Sequence, residues 1–505
     1  MDIIYGFISL FSNPTAIFTV FAAAIVGVIV GATPGLTTAA AIAMLVPVTY
    51  YLDPIIALIA LYVIGKAGRF GGSISAVLFN TPGTAGAAAT QLDGYPLTQK
   101  GQTGKALKVS VLASGCGDFF GDMLLIFGAT FIASYTMKLG PPEYLAIYVM
   151  AFIVIGSVVG NSILKGLISS LFGILIASVG LDPVSGSTRF DFGDVNLMSG
   201  FSLVPLLVGT FVISEVLIQA QRSASNGAVG YKIPTSEDPD SQRLSWSEIK
   251  RCIPVTLRSS AIGSFIGILP GLGSSVAAFV SYGEEKRRSK EPEKWGTGII
   301  EGVAAPESAN NAVSGPSMIP LLTLGVPGST IAAMLMGVML IHGIQVGPTI
   351  FTTSKDLIFT LFAAGLVGIL SYVIIGYYGS GFIGRTIAKI PPRLIYPTVF
   401  ILAFLAAYSV RSSLFDVLVM LIFGGVGYVM RRYDYSVAAF IISFVLAKGA
   451  EEAFRQSLLI SDGSLLIFVE RPVAAVFLSL GVIGLGLRVR QAYKQRQFNK
   501  RLTQS

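Results

Sequence analysis

Apolar runs alternate with short polar stretches along nearly the whole chain. About 20 apolar residues cross the hydrocarbon of a bilayer as a helix. Runs near 15–31, 54–65, 106–133, 143–160, 164–180, 200–220, 357–377, 394–410, 413–430, 434–448 and 468–487 read as spans. Shorter apolar pieces at 36–52, 252–269, 272–283 and 315–345 are punctuated by proline and glycine. The pattern predicts an all-α polytopic integral membrane protein with roughly ten to twelve transmembrane helices, some of them re-entrant or broken.

The punctuation is regular. Four Pro-Gly pairs sit in apolar sequence and are followed by small or hydroxyl residues. They are Thr33-Pro34-Gly35-Leu36-Thr37-Thr38, Asn80-Thr81-Pro82-Gly83-Thr84, Leu269-Pro270-Gly271-Leu272-Gly273-Ser274-Ser275 and Val326-Pro327-Gly328-Ser329-Thr330. Proline removes a backbone donor and stops a helix; glycine permits the turn that follows. In lipid such a break is tolerated only where protein or a watery cavity satisfies the freed backbone groups. Pro34 and Pro270 are 236 positions apart, and Pro82 and Pro327 are 245 apart. The near-constant offset points to an internal duplication, and corresponding breaks in two halves point to a transport site.

Loop charge orients the halves. Residues 1–53 contain no Lys or Arg, whereas Arg222, Lys232, Arg243, Lys250 and Arg251 precede the third break and Lys286, Arg287, Arg288 and Lys290 follow it. By the positive-inside rule the Pro270 hairpin enters from the cytoplasm and the Pro34 hairpin from the opposite face. Lys100, Lys105 and Lys108 follow the second break, but only Lys355 lies in the loop from His342 to Asp356 after the fourth. The expected organisation is a first repeat at 1–221, a cytoplasmic linker at 222–251 and an inverted second repeat with extra C-terminal helices at 252–487. A basic cytoplasmic tail follows at 488–505. Acidic residues dilute the linker's charge, and two thin spans remain an alternative reading of the first hairpin.

Composition agrees. Of 505 residues 53% are hydrophobic and 12% charged, with a mean hydropathy of +0.74, against about 25% charged in soluble chains. A multidomain soluble enzyme is excluded. The net charge of +8 belongs to loops and tail and implies no nucleic acid. The N-terminus lacks the basic n-region of a cleaved signal peptide. Cys116 and Cys252, far apart in apolar surroundings, read as buried small hydrophobes.

A helix starting just after each break presents unpaired N–H groups and a positive dipole end, which suits an anion. Thr37, Thr38, Thr84, Ser274, Ser275, Ser329 and Thr330 lie in such first turns and can donate hydroxyls. The plainer reading is that they cap helices or pack. The densest polar stretch in apolar sequence is Glu301 to Ala312, where Asn310 and Asn311 offer amides to a carboxylate or oxygens to a sodium ion. Glu301 and Glu307 read equally as interfacial residues beside Lys294. His342 and Glu215 are isolated, and Gly117-x-x-x-Gly121 reads as close helix packing.

These motifs resemble one family. Gly31 to Leu36, Gly71 to Thr84, Leu92-Asp93-Gly94-Tyr95-Pro96, Gly267 to Gly273, Ala305 to Ala312 and Met318 to Ser329 are similar, in order, to the TctA family. That family forms the large membrane subunit of tripartite tricarboxylate transporters. The similarity covers most of the chain and is weakest after about residue 390. It implies a multi-pass permease of the bacterial inner membrane, with a small membrane subunit (TctB-type) and a periplasmic solute-binding protein (TctC-type) as partners. It also implies ion-gradient-driven uptake of a carboxylate, and it carries the binding role onto Thr81, Pro82, Gly83, Glu307, Asn310, Asn311, Pro327, Gly328 and Ser329; Asn80 adjoins them.

The chain departs from the family pattern at Lys66 and Arg69, where neutral residues are more usual. Asp118 and Asp122, four apart and so on one helix face, are a second oddity of this apolar sequence. A central charge costs about 2.5–3.5 kcal/mol on insertion scales, so each needs a partner or a function. Either the four neutralise one another, or Lys66 or Arg69 binds substrate while Asp118 or Asp122 takes up a coupling proton.

The expected function is therefore an ion-coupled (Na+ or H+) importer of di- or tricarboxylates with no other cofactor and no catalytic residue. A passive anion channel and an intramembrane enzyme acting on an anionic lipid are the competing classes. The latter lacks a nucleophile, acid–base pair or metal cluster of recognisable spacing.

Overall fold

The computed structural model describes residues 2–158, 162–182, 184–226, 242–387, 389 and 392–502. The Pro234 to Ser241 part of the expected linker, the end of the 143–160 span and the last tail residues lie outside them.

The chain runs α1 (Asp2–Ser12), α2 (Pro14–Ala32), α3 (Thr38–Thr49), α4 (Pro54–Phe79), α5 (Ala87–Gln99), α6 (Thr103–Thr136), α7 (Pro141–Val158) and α8 (Ile163–Ala177). A two-residue antiparallel hairpin, β1 (Gly180–Leu181) and β2 (Thr188–Arg189), leads to α9 (Val195–Met198), α10 (Leu203–Leu207), a π-helical turn (Val208–Ile213) and α11 (Ser214–Asn226). Then follow α12 (Trp246–Ile268), α13 (Gly273–Arg288), α14 (Ile300–Ala312), α15 (Ile319–Leu324), α16 (Thr330–Ile341), α17 (Ile350–Thr353) and α18 (Lys355–Ile387). The last elements are α19 (Pro392–Ser409), α20 (Leu414–Arg432), α21 (Val437–Ile460), α22 (Ile467–Glu470) and α23 (Pro472–Leu502).

Among the described residues seven helices are long and apolar enough to cross a membrane, and α1, α3, α8 and α16 are shorter apolar helices. Outward positions carry large apolar side chains such as Phe18, Phe127, Leu164, Phe265 and Phe382. A surface of that kind is matched to lipid.

All four Pro-Gly pairs fall between helices: α2 and α3, α4 and α5, α12 and α13, α15 and α16. The first and third have the same backbone. Thr33 (φ −81°, ψ 113°) ends α2 with its amide on Val30, and Leu269 (φ −83°, ψ 114°) ends α12 with its amide on Ile266. Gly35 and Gly271 then take φ of +83° and +84°, a left-handed region that glycine enters without strain. The second and fourth also match. Asn80 (φ 55°) and Gly325 (φ 71°) close α4 and α15 in left-handed geometry.

Helix α4 lies at the centre, buried from Ile56 almost without interruption to Phe79. Its glycines admit close neighbours: a Cβ on Gly68 would meet Thr38 at 2.6 Å, and one on Gly71 would meet the Val28 carbonyl at 2.5 Å. α2 and α18 pack on α4 and on each other, while α6 and α12 pack on α14 and on each other. α6 and α18 meet between the two groups. α7, α8, α21 and α23 pack together at the periphery, as do α20 and the π-helical turn.

Two expectations fail here. The span read as 54–65 is only the first half of α4, which stays helical through Lys66 and Arg69 because both are enclosed by protein. Cys116 is exposed, not buried; it lies on the outer face of α6, where apolar sequence faces lipid as readily as core.

Candidate functional site

The breaks meet in pairs. A Cβ on Gly83 would lie 2.2 Å from the Gly31 carbonyl oxygen, so the second break sits directly on the end of α2. The Gly271 amide donates to the Gly328 carbonyl (3.3 Å), joining the third break to the fourth. Within each half the second member is anchored alike. The Gly83 amide donates to Gly72 (3.1 Å) and the Gly328 amide to Ser317 (3.2 Å), the partner lying eleven residues back in both cases. Thr84 accepts from the Ala87 amide at the start of α5, and Ser329 caps α16 by accepting from the Ala332 amide.

Between the pairs lies a closed set of charges. Lys66 Nζ is 2.6 Å from Asp118 Oδ1 and 2.7 Å from Asp122 Oδ1, and the lysine has no exposed surface. The Tyr62 hydroxyl donates to Asp122 (3.0 Å) and the Tyr372 hydroxyl to Asp118 (3.3 Å). The Lys66 ammonium also lies 4.7 Å from the Tyr62 ring centre. Helices α4, α6 and α18 thus each supply part of the cluster. Spacing brings this about: Tyr62 and Lys66 are four apart on α4, as Asp118 and Asp122 are on α6.

Arg69 differs. It is buried one turn beyond Lys66, makes no hydrogen bond or ion pair among the described residues, and its Nη1 has no partner. It lines a narrow cleft with Ser314, Ser317 and Ser329. The guanidinium of the first half therefore faces the fourth break, in the second half.

The Glu307 stretch faces the other way. Glu307 is wholly buried, accepts from the hydroxyls of Ser73 and Thr90, and accepts from Ser114 at 2.7 Å. The interfacial reading of Glu307 is thereby corrected: three hydroxyls replace water around its carboxylate. Glu301 is part-exposed and pairs with Arg251 at 3.1 Å. Asn311 Nδ2 donates to Ser114 (3.0 Å) and to the Glu307 carbonyl (2.9 Å), leaving its Oδ1 without a partner. Asn310 is fully buried, with both side-chain polar atoms unpartnered among the described residues, and packs against Gly86 just beyond the second break. Each half thus places a polar side chain at the other half's break: Arg69 at the fourth, Asn310 at the second.

The remaining expected residues divide. Thr37 caps α3 through the Ala40 amide, and Thr38 is buried against Gly68 with its hydroxyl unpartnered. Of Pro327, Gly328 and Ser329 only Ser329 lines the Arg69 cleft; the Gly328 amide is held by the Ser317 carbonyl, and Thr330 begins α16. Ser274 and Ser275 are part-exposed in the first turn of α13. Asn80 is exposed and bonded to Gln91 (2.6 Å), so it serves the end of α4 and does not enter the buried cluster. Thr81 bonds back to the Phe79 carbonyl, and Pro82 is part-exposed beside it. His342 lies part-exposed just past α16, and Glu215 pairs with Arg431. Gly117 and Gly121 pack on the Ser308 and Ala312 carbonyls, the close helix contact that their spacing suggests.

Sequence reasoning missed the role of Asp93. Its buried carboxylate accepts from the amides of Gly296, Gly298 (2.8 Å) and Ile299 and from the Tyr282 hydroxyl (2.8 Å). It ties α5 to the loop that leads into α14. An acidic residue beside glycine inside an apolar helix was the available signal.

Residues 17–442 match the family described as "Tripartite tricarboxylate transporter TctA family". The chain is 36% identical over 470 residues to an uncharacterized 52.8 kDa protein in the TAR-I ttuC' 3' region of Agrobacterium vitis, covering 93% of this chain and 92% of that protein. It is 39% identical over 221 residues to an uncharacterized protein in the TAR-II ttuC' 3' region of the same organism, covering 44% of this chain and 91% of that protein. No solved structure matches the chain.

Proposed function

The chain belongs to the tripartite tricarboxylate transporter TctA family, and from that premise we propose that it is the permease subunit of an ion-gradient-driven carboxylate importer of the bacterial inner membrane. In this reading a periplasmic solute-binding protein delivers a di- or tricarboxylate, and a small membrane subunit completes the assembly. The observation that carries the reading is the matched pair of broken-helix sites, each holding a buried polar side chain from the other half. The positive dipole ends at the starts of α5 and α16 attract carboxylate oxygens, and Arg69 supplies a full positive charge beside one of them.

We read the halves as inverted repeats. The supporting facts are the like geometries at Thr33 and Leu269 and at Gly83 and Gly328, together with the opposite loop charges at the two hairpins. The reciprocal packing of α18 on α4 and α6 on α14 points the same way. Alternating access then moves one set of helices against the other around the breaks. Asn310 and Asn311 offer oxygens to a coupling sodium ion; Asp118 and Asp122 offer carboxylates to a coupling proton.

The test is uptake of labelled succinate, tartrate and citrate by proteoliposomes holding the permease and its small subunit. Uptake is measured with and without the binding protein, under imposed sodium or proton gradients. Accumulation above equilibrium that requires the binding protein and one gradient supports the reading. Downhill flux indifferent to both identifies a passive channel instead.

A further inference from the structure

The charges around Lys66 sum to zero only when Arg69 is counted. Lys66 and Arg69 contribute two positive charges and Asp118 and Asp122 two negative ones, yet Lys66 bridges both carboxylates while Arg69 makes no ion pair among the described residues. The buried set therefore holds one free guanidinium on the side of the fourth break. It also holds one carboxylate oxygen, Asp122 Oδ2, with no hydrogen-bond partner among the described residues. That oxygen lies against Gly365 of α18: a Cβ there would be 3.0 Å away.

We propose that Arg69 receives a carboxylate of the substrate and that a proton taken up on Asp122 answers the negative charge this brings, so that anion and proton cross together. The inference rests on the transporter reading and deepens it by naming the anchoring residue and the coupled ion. A carboxylate on Arg69 leaves the enclosed set with a net charge of −1, and an uncompensated charge in low dielectric is strongly unfavourable. Protonating Asp122 at Oδ2 restores neutrality: one O–H bond forms, the proton comes from the aqueous side, and Lys66 keeps Asp118. Binding of the two is then reciprocal, each favouring the other.

The surroundings leave few other groups for this task. On α4, Tyr62 and Lys66 already bond the carboxylates, and on α18 the Tyr372 hydroxyl is on Asp118. Gly315 packs against Asp122 Oδ1, and α15 has no charged residue. Helices α5, α12 and α14 also pack on α6. Among their ionisable groups, Asp93 is held by loop amides and Tyr282, Arg258 by Glu285, Glu301 by Arg251, and Glu307 by three hydroxyls.

The cleft at Arg69 encloses about 10 Å3, roughly the space of one water. A carboxylate enters when α16 draws away from α4 and Ser314, Ser317 and Ser329 part from the guanidinium. Closure around the bound group then turns toward it the hydroxyls of Ser317 and Ser329, which in this structure donate to the Ser314 carbonyl and to Ser317 Oγ.

The test uses the complete transporter in proteoliposomes with labelled succinate, tartrate and citrate. For the wild type, the half-saturating concentration should fall by up to about tenfold per unit of lowered pH, and an inward proton gradient should accelerate uptake. R69Q should lose at least about tenfold in uptake, with R69K between it and wild type. D122N should no longer respond to the proton gradient. If R69Q fails to give a monodisperse folded protein, S317A and S329A carry the test, each raising the half-saturating concentration. Wild-type uptake in R69Q, or unchanged half-saturation in both serine variants, overturns the anchor. An undiminished proton response in D122N, or acceleration by sodium alone in the wild type, overturns the coupling. Wild-type transporter that accumulates none of the three acids overturns the transporter reading itself, and this proposal with it.

Discussion

The ammonium of Lys66 lies 2.6 Å from the carboxylate of Asp118, with both side chains wholly buried. Breaking a buried pair by removing one partner leaves a naked charge and costs about 3–5 kcal/mol. Replacing Lys66 with Met leaves Asp118 and Asp122 facing each other without a cation between them. K66M should therefore express poorly and unfold at lower temperature in detergent. The double variant K66M/D118N leaves Asp122 and Arg69, whose charges cancel, and should regain most of the lost midpoint. A K66M protein as stable as wild type would show that the bridge is not what keeps these carboxylates in place.

The equivalent bonds from Gly83 to Gly72 and from Gly328 to Ser317 make a second prediction. A Cβ on Gly83 would come to 2.2 Å of the Gly31 carbonyl, and one on Gly328 to 2.6 Å of the Ser317 carbonyl. Both contacts are with backbone, which cannot rotate away, so overpacking should cost about 1–3 kcal/mol or displace the break. G83A and G328A should each depress uptake and thermal stability. G283A is the control, because a Cβ there meets nothing within 4 Å. Equal behaviour of all three variants would count against the tight packing of the breaks.

Asp93 gathers three backbone amides and a tyrosine hydroxyl. Its loss leaves these donors unmet, at about 1–3 kcal/mol for each that stays buried. D93A should loosen the turn at 296–299 and the start of α14, which carries Glu307, Asn310 and Asn311. Hydrogen exchange at Gly298 and Ile299 should quicken in D93A and less so in D93N, whose amide oxygen still accepts. Exchange unchanged in D93A would remove Asp93 from the support of α14.

What could be read from the chain follows the range of each interaction. The four breaks were legible because proline and glycine act locally, and their pairing followed from two like offsets. The shared face of Asp118 and Asp122 followed from helical spacing. The neutralising set of Lys66, Arg69, Asp118 and Asp122 could be read as one of two alternatives, but which cation holds the carboxylates could not, because they lie 52 and 56 positions from Lys66 and Arg69 offered the same charge. The continuation of α4 past Lys66 was hidden for the same reason: a cation reads as the end of a span until its enclosure is known. Hydropathy alone cannot separate a lipid-facing side chain such as Cys116 from a core one. Glu307 was ambiguous because its hydroxyl partners come from α4, α5 and α6.

The hairpin at 180–189 offers a pH test outside the spans. The Asp182 carboxyl is held down to about 2, chiefly by the Ser185 amide and also by the Val184 amide and Arg455. An unfolded Asp titrates near 3.9, so its folded value is depressed. The stabilisation is then fully present above about pH 4 and is lost as pH falls from there through about 2. Pepsin works across that window. Its cleavage within the hairpin, normalised to an unstructured reference peptide, should rise as pH is lowered from 4 to 2. D182N has no carboxylate to protonate and should be cut more readily at pH 4, with little further change on acidification. A wild-type hairpin whose normalised cleavage is flat across the window would mean that the ionised Asp182 does not hold the turn.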